Sequence, residues 1–291
     1  MSTGMSTECY LCHLEKYVEK ALALGTPEQA TAFAKELMGL YVSAPEGVSA
    51  PWFGPGATAL LDQYYGTGPD PYKEKKIASN RFVLQRLDGI RAWVERSSDP
   101  LLAALQCAIL GNYIDFSALR EQVSFEKLDE MLAEAGKIAL PEQTYRQLRK
   151  DLQQAKTLLY LTDNAGEIGF DRVLAEKIAA EYPQVDITFC VRGGPAQNDA
   201  TREDAAAVGI PFKVIDNGNT VAGTQLELLS QEAKCAFETA DVILSKGQGN
   251  LETLFGCKKN VYYAFLVKCK RFVTLFEKPF LTPMLVRELD Q

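Results

Sequence analysis

A chain of 291 residues, 47% of them hydrophobic, can bury a sizeable core as one large domain or two ordinary ones. Its net charge of −7 and isoelectric point near 5.0 argue against a nucleic-acid or membrane partner, because a phosphate surface attracts basic proteins and repels this one. Its one histidine, His13, rules out a Ser-His-Asp triad, an HExxH site and a multi-histidine metal centre, leaving carboxylates, amides, lysines, arginines and thiols for any chemistry.

The N-terminal "MSTGMSTECYLCHLEKY" has no basic stretch leading into an apolar core, and the longest later apolar run, "VYYAFLV", is too short to span a bilayer. With seven scattered cysteines, an odd number, this predicts a cytoplasmic protein with reduced thiols. "CYLCH" at 9–13 has the spacing of a haem attachment site, but such attachment goes with export. No second cysteine pair completes a zinc site, so Cys9 and Cys12, three apart on a helix, read as packed thiols.

Residues 8 to about 153 have helical periodicity. The segments 9–24 and 27–42 carry apolar positions at spacings of three and four, the second opening on Thr26 as cap and Pro27 in the first turn. A Pro/Gly-rich loop follows at 44–56, then helices at 57–65, 71–97, 100–110, 124–135 and 141–153. Aromatic pairs such as Trp52-Phe53, Tyr64-Tyr65 and Tyr262-Tyr263 read as packing.

From 156 the period changes. Strands are expected at 157–162, 186–191, 212–216, 241–245 and 260–267, with helices near 167–181, 199–207, 225–237 and 250–256. Alternation of this kind predicts an α/β fold: a mostly parallel sheet in an α/β/α, Rossmann-like lobe at 154–291, after an all-helical lobe at 1–153.

In open α/β sheets, ligands bind beyond the carboxyl ends of the strands. The first strand is followed by Asp163-Asn164-Ala165-Gly166-Glu167, and the second by Arg192-Gly193-Gly194 and then Asn198-Asp199. The fourth is followed by Lys246-Gly247-Gln248-Gly249-Asn250. Any one of these reads most simply as a helix cap. Together they gather acids, amides, an arginine and a lysine at one edge, which fits metal-assisted phosphoryl transfer. Asp163, Asn164 and Asp199 supply oxygen ligands for a hard dication, with Mn²⁺, Mg²⁺, Co²⁺ or Ni²⁺ all admissible. Lys246, Arg192 and the backbone N–H groups of residues 247–249 would neutralise phosphate oxygens. Glu167, one turn into the next helix, is placed to orient or deprotonate an attacking water.

"DNAGE" at 163–167, "ND" at 198–199 followed by Thr201, and "KGxGNxE" at 246–252 resemble the damage-control phosphatases, formerly domain of unknown function 89, which include the ARMT-like proteins. The N-terminal CxxC and "GNYID" at 111–115 are similar to the prokaryotic-type branch. The resemblance implies a helical lobe packed on an α/β/α lobe, a divalent metal held by Asp163, Asn164 and Asp199, and phosphate contacts from Lys246 and the Asn250 loop. It further implies that Asn112 and Asp115 face the cleft and that small phosphorylated metabolites are the substrates. Helix termination at Gly111 with Asn112 as a cap is the alternative for that segment. Lys268 reads either as a further phosphate ligand or as a solvated lysine.

Two other functions fit the pattern: an S-adenosylmethionine-dependent carboxyl methyltransferase, and a non-catalytic metabolite- or metal-binding regulator. The first strand ends in cation ligands and not in a glycine-rich turn, which favours the phosphatase. Oligomeric state has no signature in the sequence.

Overall fold

The computed structural model describes residues 4–119 and 122–290. The first helices are α1 (Thr7–Leu24) and α2 (Pro27–Ser43). Thr26 and Gln29 form a reciprocal capping box at the start of α2. The Pro/Gly-rich segment is more ordered than its composition suggests, holding a 3₁₀ turn over Ala50–Phe53 and the start of α3 (Gly54–Tyr65). These three helices share their own apolar cluster of Tyr17, Phe33, Leu37, Ala57 and Leu61.

The helix expected over 71–97 is two, α4 (Lys73–Leu84) and α5 (Leu87–Arg96). Arg86 causes the break. Its Nη1 takes the Phe82 carbonyl at 3.1 Å, the acceptor its own N–H would use in a continuing helix, so that N–H turns to Val83 instead. The same guanidinium pairs with Asp129.

Next comes α6 (Pro100–Gly111), capped by Asp99 and buried on almost every side, as an apolar helix must be. It packs against α9 (Glu167–Glu181). Between them in sequence lie α7 (Phe125–Ala133) and α8 (Glu142–Gln154).

The sheet contains β1 (Thr157–Leu161), β2 (Asp186–Val191), β3 (Lys213–Asp216), β4 (Val242–Lys246), β5 (Val261–Leu266) and β6 (Pro283–Arg287), in the spatial order β3-β2-β1-β4-β5-β6. The first five are parallel, and β6 runs antiparallel to β5. The strand order reverses between β1 and β4, which opens a crevice at their carboxyl ends.

Helices α10 (Arg202–Ala207), α11 (Gln231–Thr239), α12 (Gly247–Leu254) and α13 (Lys270–Phe276) complete the fold. One continuous core joins α4, α5 and α6 to the sheet, including Val83, Leu105, Ile109, Tyr160, Phe170, Phe189 and Tyr262. A second cluster on the other sheet face contains Leu159, Ile243, Leu251, Tyr263 and Phe265. Phe53, Tyr262 and Tyr263 are buried, so these members of the aromatic pairs do pack. Cys12 is exposed and Cys9 half-buried, so the CxxC is not a pair of core thiols. No helix among the described residues is long and apolar enough to cross a membrane.

Candidate active site

The segment after β1 turns at Gly166, whose φ of 80° is left-handed. Asn80 of α4 accepts the Gly166 N–H at 2.7 Å and donates to Asp204 at 2.8 Å. Lys76 pairs with the same Asp204, so α4 clamps the turn.

The second strand-end segment does not form the helix expected from 199. Residues 198–200 lie beside the first segment: Ala165 N–H donates to the Asn198 carbonyl at 2.9 Å, and Ala200 N–H donates to the Asp163 carbonyl at 2.7 Å. Asn164 and Asp199 form an antiparallel bridge. Helix α10 starts only at Arg202, behind a Thr201–Asp204 capping box. Asp163 and Asp199 are thereby brought together.

At the end of β4 the chain enters α12 directly through Gly247, with φ 76°. A Cβ there would collide with the Asp163 carboxylate. The first turn of α12 has no side-chain cap, so its N–H groups are left for an anion.

Asp163 Oδ2 accepts from Asn112 Nδ2 at 2.9 Å and from Asn164 Nδ2 at 2.8 Å. Its Oδ1 lies 3.9 Å from Arg192 Nη2. Asp199 Oδ2 accepts from Arg192 Nε at 2.6 Å. Burial, then the neighbouring Asp199 and Glu167 carboxylates, push the Asp163 carboxyl well above its ordinary range. Burial raises Asp199 to about 6 despite Arg192.

Asn164 presents its NH₂ to Asp163 and Glu167 and its oxygen to Asn198 Nδ2 at 2.8 Å. A half-turn of the carboxamide would offer the oxygen to a cation. Among the described residues no three His, Cys, Asp or Glu side chains meet in metal-binding geometry, so a cation here would take two carboxylates, one carboxamide oxygen and oxygens from solvent or substrate.

That donor set fits a hard dication. Among the described residues, the buried Asp115, Asp163, Glu167, Asp171 and Asp199 face three buried cations, Lys246, Lys268 and Arg192. Fully ionised, the cluster is therefore two negative charges in excess, which low-dielectric surroundings do not tolerate without protonation or a counter-ion.

Several expected phosphate contacts lie elsewhere. Lys246 is fully buried and its ammonium donates to the Ala108 carbonyl at 2.8 Å, to Glu167 at 2.6 Å and to Asp171 at 2.8 Å. All three protons are spent behind the crevice floor. Glu167 is also fully buried and accepts from Lys246, Asn112 and Asn164, so it supports the site from behind and does not reach a water in the crevice.

Asn250 uses its NH₂ on the Thr162 and Lys246 carbonyls and its oxygen on Arg192 and Thr224. It locks Arg192 in place. Asn112 ties Asp163 and Glu167 to the Leu266 N–H, which makes it an internal brace and not a cleft-facing group. Asp115 accepts from the Ser117 and Ala118 N–H groups and from Lys268. Burial would raise its carboxyl, but Lys268 outweighs that and holds it low.

Lys268 is buried, contrary to the solvated alternative. It donates to the Asn112 carbonyl and to Asp115, which leaves one of its three protons for a ligand. Burial alone would lower its pKa, but Asp115, Asp163 and Glu167 reverse that and keep the ammonium charged. Sequence reasoning missed Asp171, Asn80 and the bracing role of Asn198. The first was visible only as a polar residue on a helix face that later proved buried.

The profile of the damage-control phosphatase ARMT1-like domain matches residues 5–279. An uncharacterised protein of Methanocaldococcus jannaschii is 34% identical over 281 residues, covering 92% of this chain and 90% of that one. A damage-control phosphatase of Pyrococcus horikoshii is 36% identical over 218 residues, covering 74% and 73%. One of Archaeoglobus fulgidus is 34% identical over 205 residues, covering 69% and 70%. The crystal structure of a DUF89 family protein from Pyrococcus horikoshii superposes with a TM-score of 0.83 at 27% identity, over 98% of this chain and 99% of that one. By fold, by sequence and by the profile that spans nearly its whole length, the chain belongs to the damage-control phosphatase ARMT1-like family.

Proposed function

We propose that the protein is a metal-dependent phosphatase acting on small phosphorylated metabolites. The observation that carries the reading is the buried excess of carboxylate charge at the β1–β4 crevice, centred on Asp163 and Asp199. The names of the relatives from Pyrococcus and Archaeoglobus support the reaction class.

Asp163, Asp199 and, after a turn of its amide, Asn164 would hold the cation. A dication there supplies Lewis acidity toward a phosphoryl oxygen and a lowered pKa for a water. Arg192 fixes the Asp199 carboxylate through Nε. The uncapped N-terminus of α12 and the remaining proton of Lys268 are the chain's own donors for phosphate oxygens. Behind them, Glu167, Asn112 and Lys246 keep Asp163 aimed.

The test is phosphate release from an aryl phosphate by metal-stripped protein, with and without Mn²⁺ or Mg²⁺. Turnover that appears with the metal supports the reading. Equal turnover in chelator, or none in either condition, contradicts it. A screen of phosphorylated metabolites on the metal-loaded protein then identifies the substrate.

A further inference from the structure

Asp171 is a buried carboxylate for which the phosphatase reading has no use. It lies on α9 one turn beyond Glu167 and is fully buried. Its Oδ1 accepts from the Tyr160 hydroxyl at 2.8 Å and from Lys246 at 2.8 Å. Its Oδ2 is buried with no hydrogen-bond partner. Leaving a buried carboxylate oxygen unpaired is costly, so the arrangement calls for a compensating role.

The role follows from how Lys246 divides its charge. If Lys246 paired with Glu167 alone, it would cancel that carboxylate's charge. Shared with Asp171, it leaves the ionised trio with one net negative charge. Glu167 then remains a strong acceptor for the NH₂ groups of Asn112 and Asn164, and both of those groups also donate to Asp163 Oδ2.

A continuous hydrogen-bonded chain thus runs from Tyr160 through Asp171, Lys246, Glu167 and Asn112 to Asp163, and this route remains when the Asn164 amide turns its oxygen to a cation. We propose that Asp171, held by Tyr160, is a positioning residue for the candidate metal site: it shares Lys246 with Glu167, leaves Glu167 free to hold Asn112, and so keeps Asp163 aimed at a dication. The inference rests on the metal reading of Asp163, Asn164 and Asp199.

The titratable groups facing Asp171 are Tyr160 from β1, Lys246 from β4 and Glu167 on α9 itself. Helix α6 offers the Ala108 carbonyl to the same lysine. The α5 charges pair with other residues of α9, Arg91 with Glu176 and Glu95 with Lys177. Burial raises the Asp171 carboxyl to about 7 against the pull of Lys246, so the charge of the chain changes near neutral pH. The Tyr160 hydrogen bond opposes that rise. Its ring stacks on Phe189 at 4.6 Å, a contact that phenylalanine would keep.

The test is calorimetric titration of the metal-stripped full chain with Mn²⁺ at about pH 6.5 and about pH 8.5, alongside thermal unfolding. Asp171→Asn should weaken Mn²⁺ binding by about 10- to 100-fold, as loss of a group supporting metal ligands does, and should flatten the rise in affinity with pH. Tyr160→Phe keeps the acid but removes the donor that favours its ionised form. It should weaken binding at the lower pH and recover at the higher one, a response that loss of packing alone would not give.

If Asp171→Asn fails to fold, Tyr160→Phe carries the test. Wild-type affinity and pH dependence in every folded variant overturn this inference alone. A wild-type protein that binds no Mn²⁺ overturns the metal reading and this inference with it.

Discussion

Lys246 and Lys268 show that two lysines at neighbouring strand ends can have opposite duties. Lys246 spends all its protons inward, whereas Lys268 keeps one for the crevice. Lys246→Met should therefore act on stability, because it strands Glu167 and Asp171 without their counter-ion. Loss of one partner from such a buried group costs about 3–5 kcal/mol, and urea unfolding would read it; a variant as stable as wild type would contradict the assignment. If Lys268 serves the proposed phosphatase reaction, Lys268→Met should lower kcat by about two to three orders of magnitude, more than it raises KM, because its remaining donor would then meet phosphoryl charge as it develops. A change confined to KM would reduce Lys268 to a ground-state contact. Asp163 was legible in the sequence because it lies just past the end of β1, and a strand end fixes where a side chain goes; Asp199 lies farther from β2 and is brought in by its bridge to Asn164. The duty of Lys246 was not legible, since residue type says nothing about which way an ammonium turns. Glu167 and Asp171 four positions apart on α9 place two acids on one helix face, and the face they choose is set by α6, a partner more than fifty positions away.

At the scale of the element, Gly247 lets β4 run into α12 without a loop, bringing the helix N-terminus against Asp163. Gly247→Ala combines a left-handed φ of 76° with a side chain pressed onto a carboxylate. It should cost about 1–2 kcal/mol from the backbone alone and displace Asp163, so that Mn²⁺ affinity falls while circular dichroism keeps its helical content; unchanged affinity would show that α12 does not shape the site. The sheet and most helices were readable from periodicity, because the central parallel strands β1, β4 and β5, buried on both faces, must be nearly continuous apolar runs. Three features escaped that reading. The α4–α5 break depends on one arginine side chain capturing a carbonyl. The start of the helix expected from 199 is not helical, because the backbone of residues 198–200 is claimed by residues 163–165. The closing elements α13 and β6 are short and have no long repeat of their own.

Across the whole molecule, the account turns on charge. Carboxyls raised in the folded state bind protons that the unfolded chain has already released. With Asp199 at about 6 and Asp171 at about 7, the metal-free protein should lose stability as pH rises from about 4 to about 7. Asp115, held low beside Lys268, contributes with the opposite sign, and its share is lost only in stronger acid. Thermal unfolding across that range checks the trend, and Mn²⁺ should raise the midpoint more at the alkaline end, where it no longer competes with protons. Sequence composition could not foretell this balance, because a net charge of −7 says nothing about which acids are buried together. The most direct measurement is anomalous diffraction from crystals soaked in Mn²⁺. The account predicts a peak about 2.0–2.4 Å from carboxylate oxygens of both Asp163 and Asp199, absent in Asp163→Asn. A Mn²⁺-soaked wild-type crystal with no peak between those two side chains, or with its ordered ion elsewhere, would contradict it.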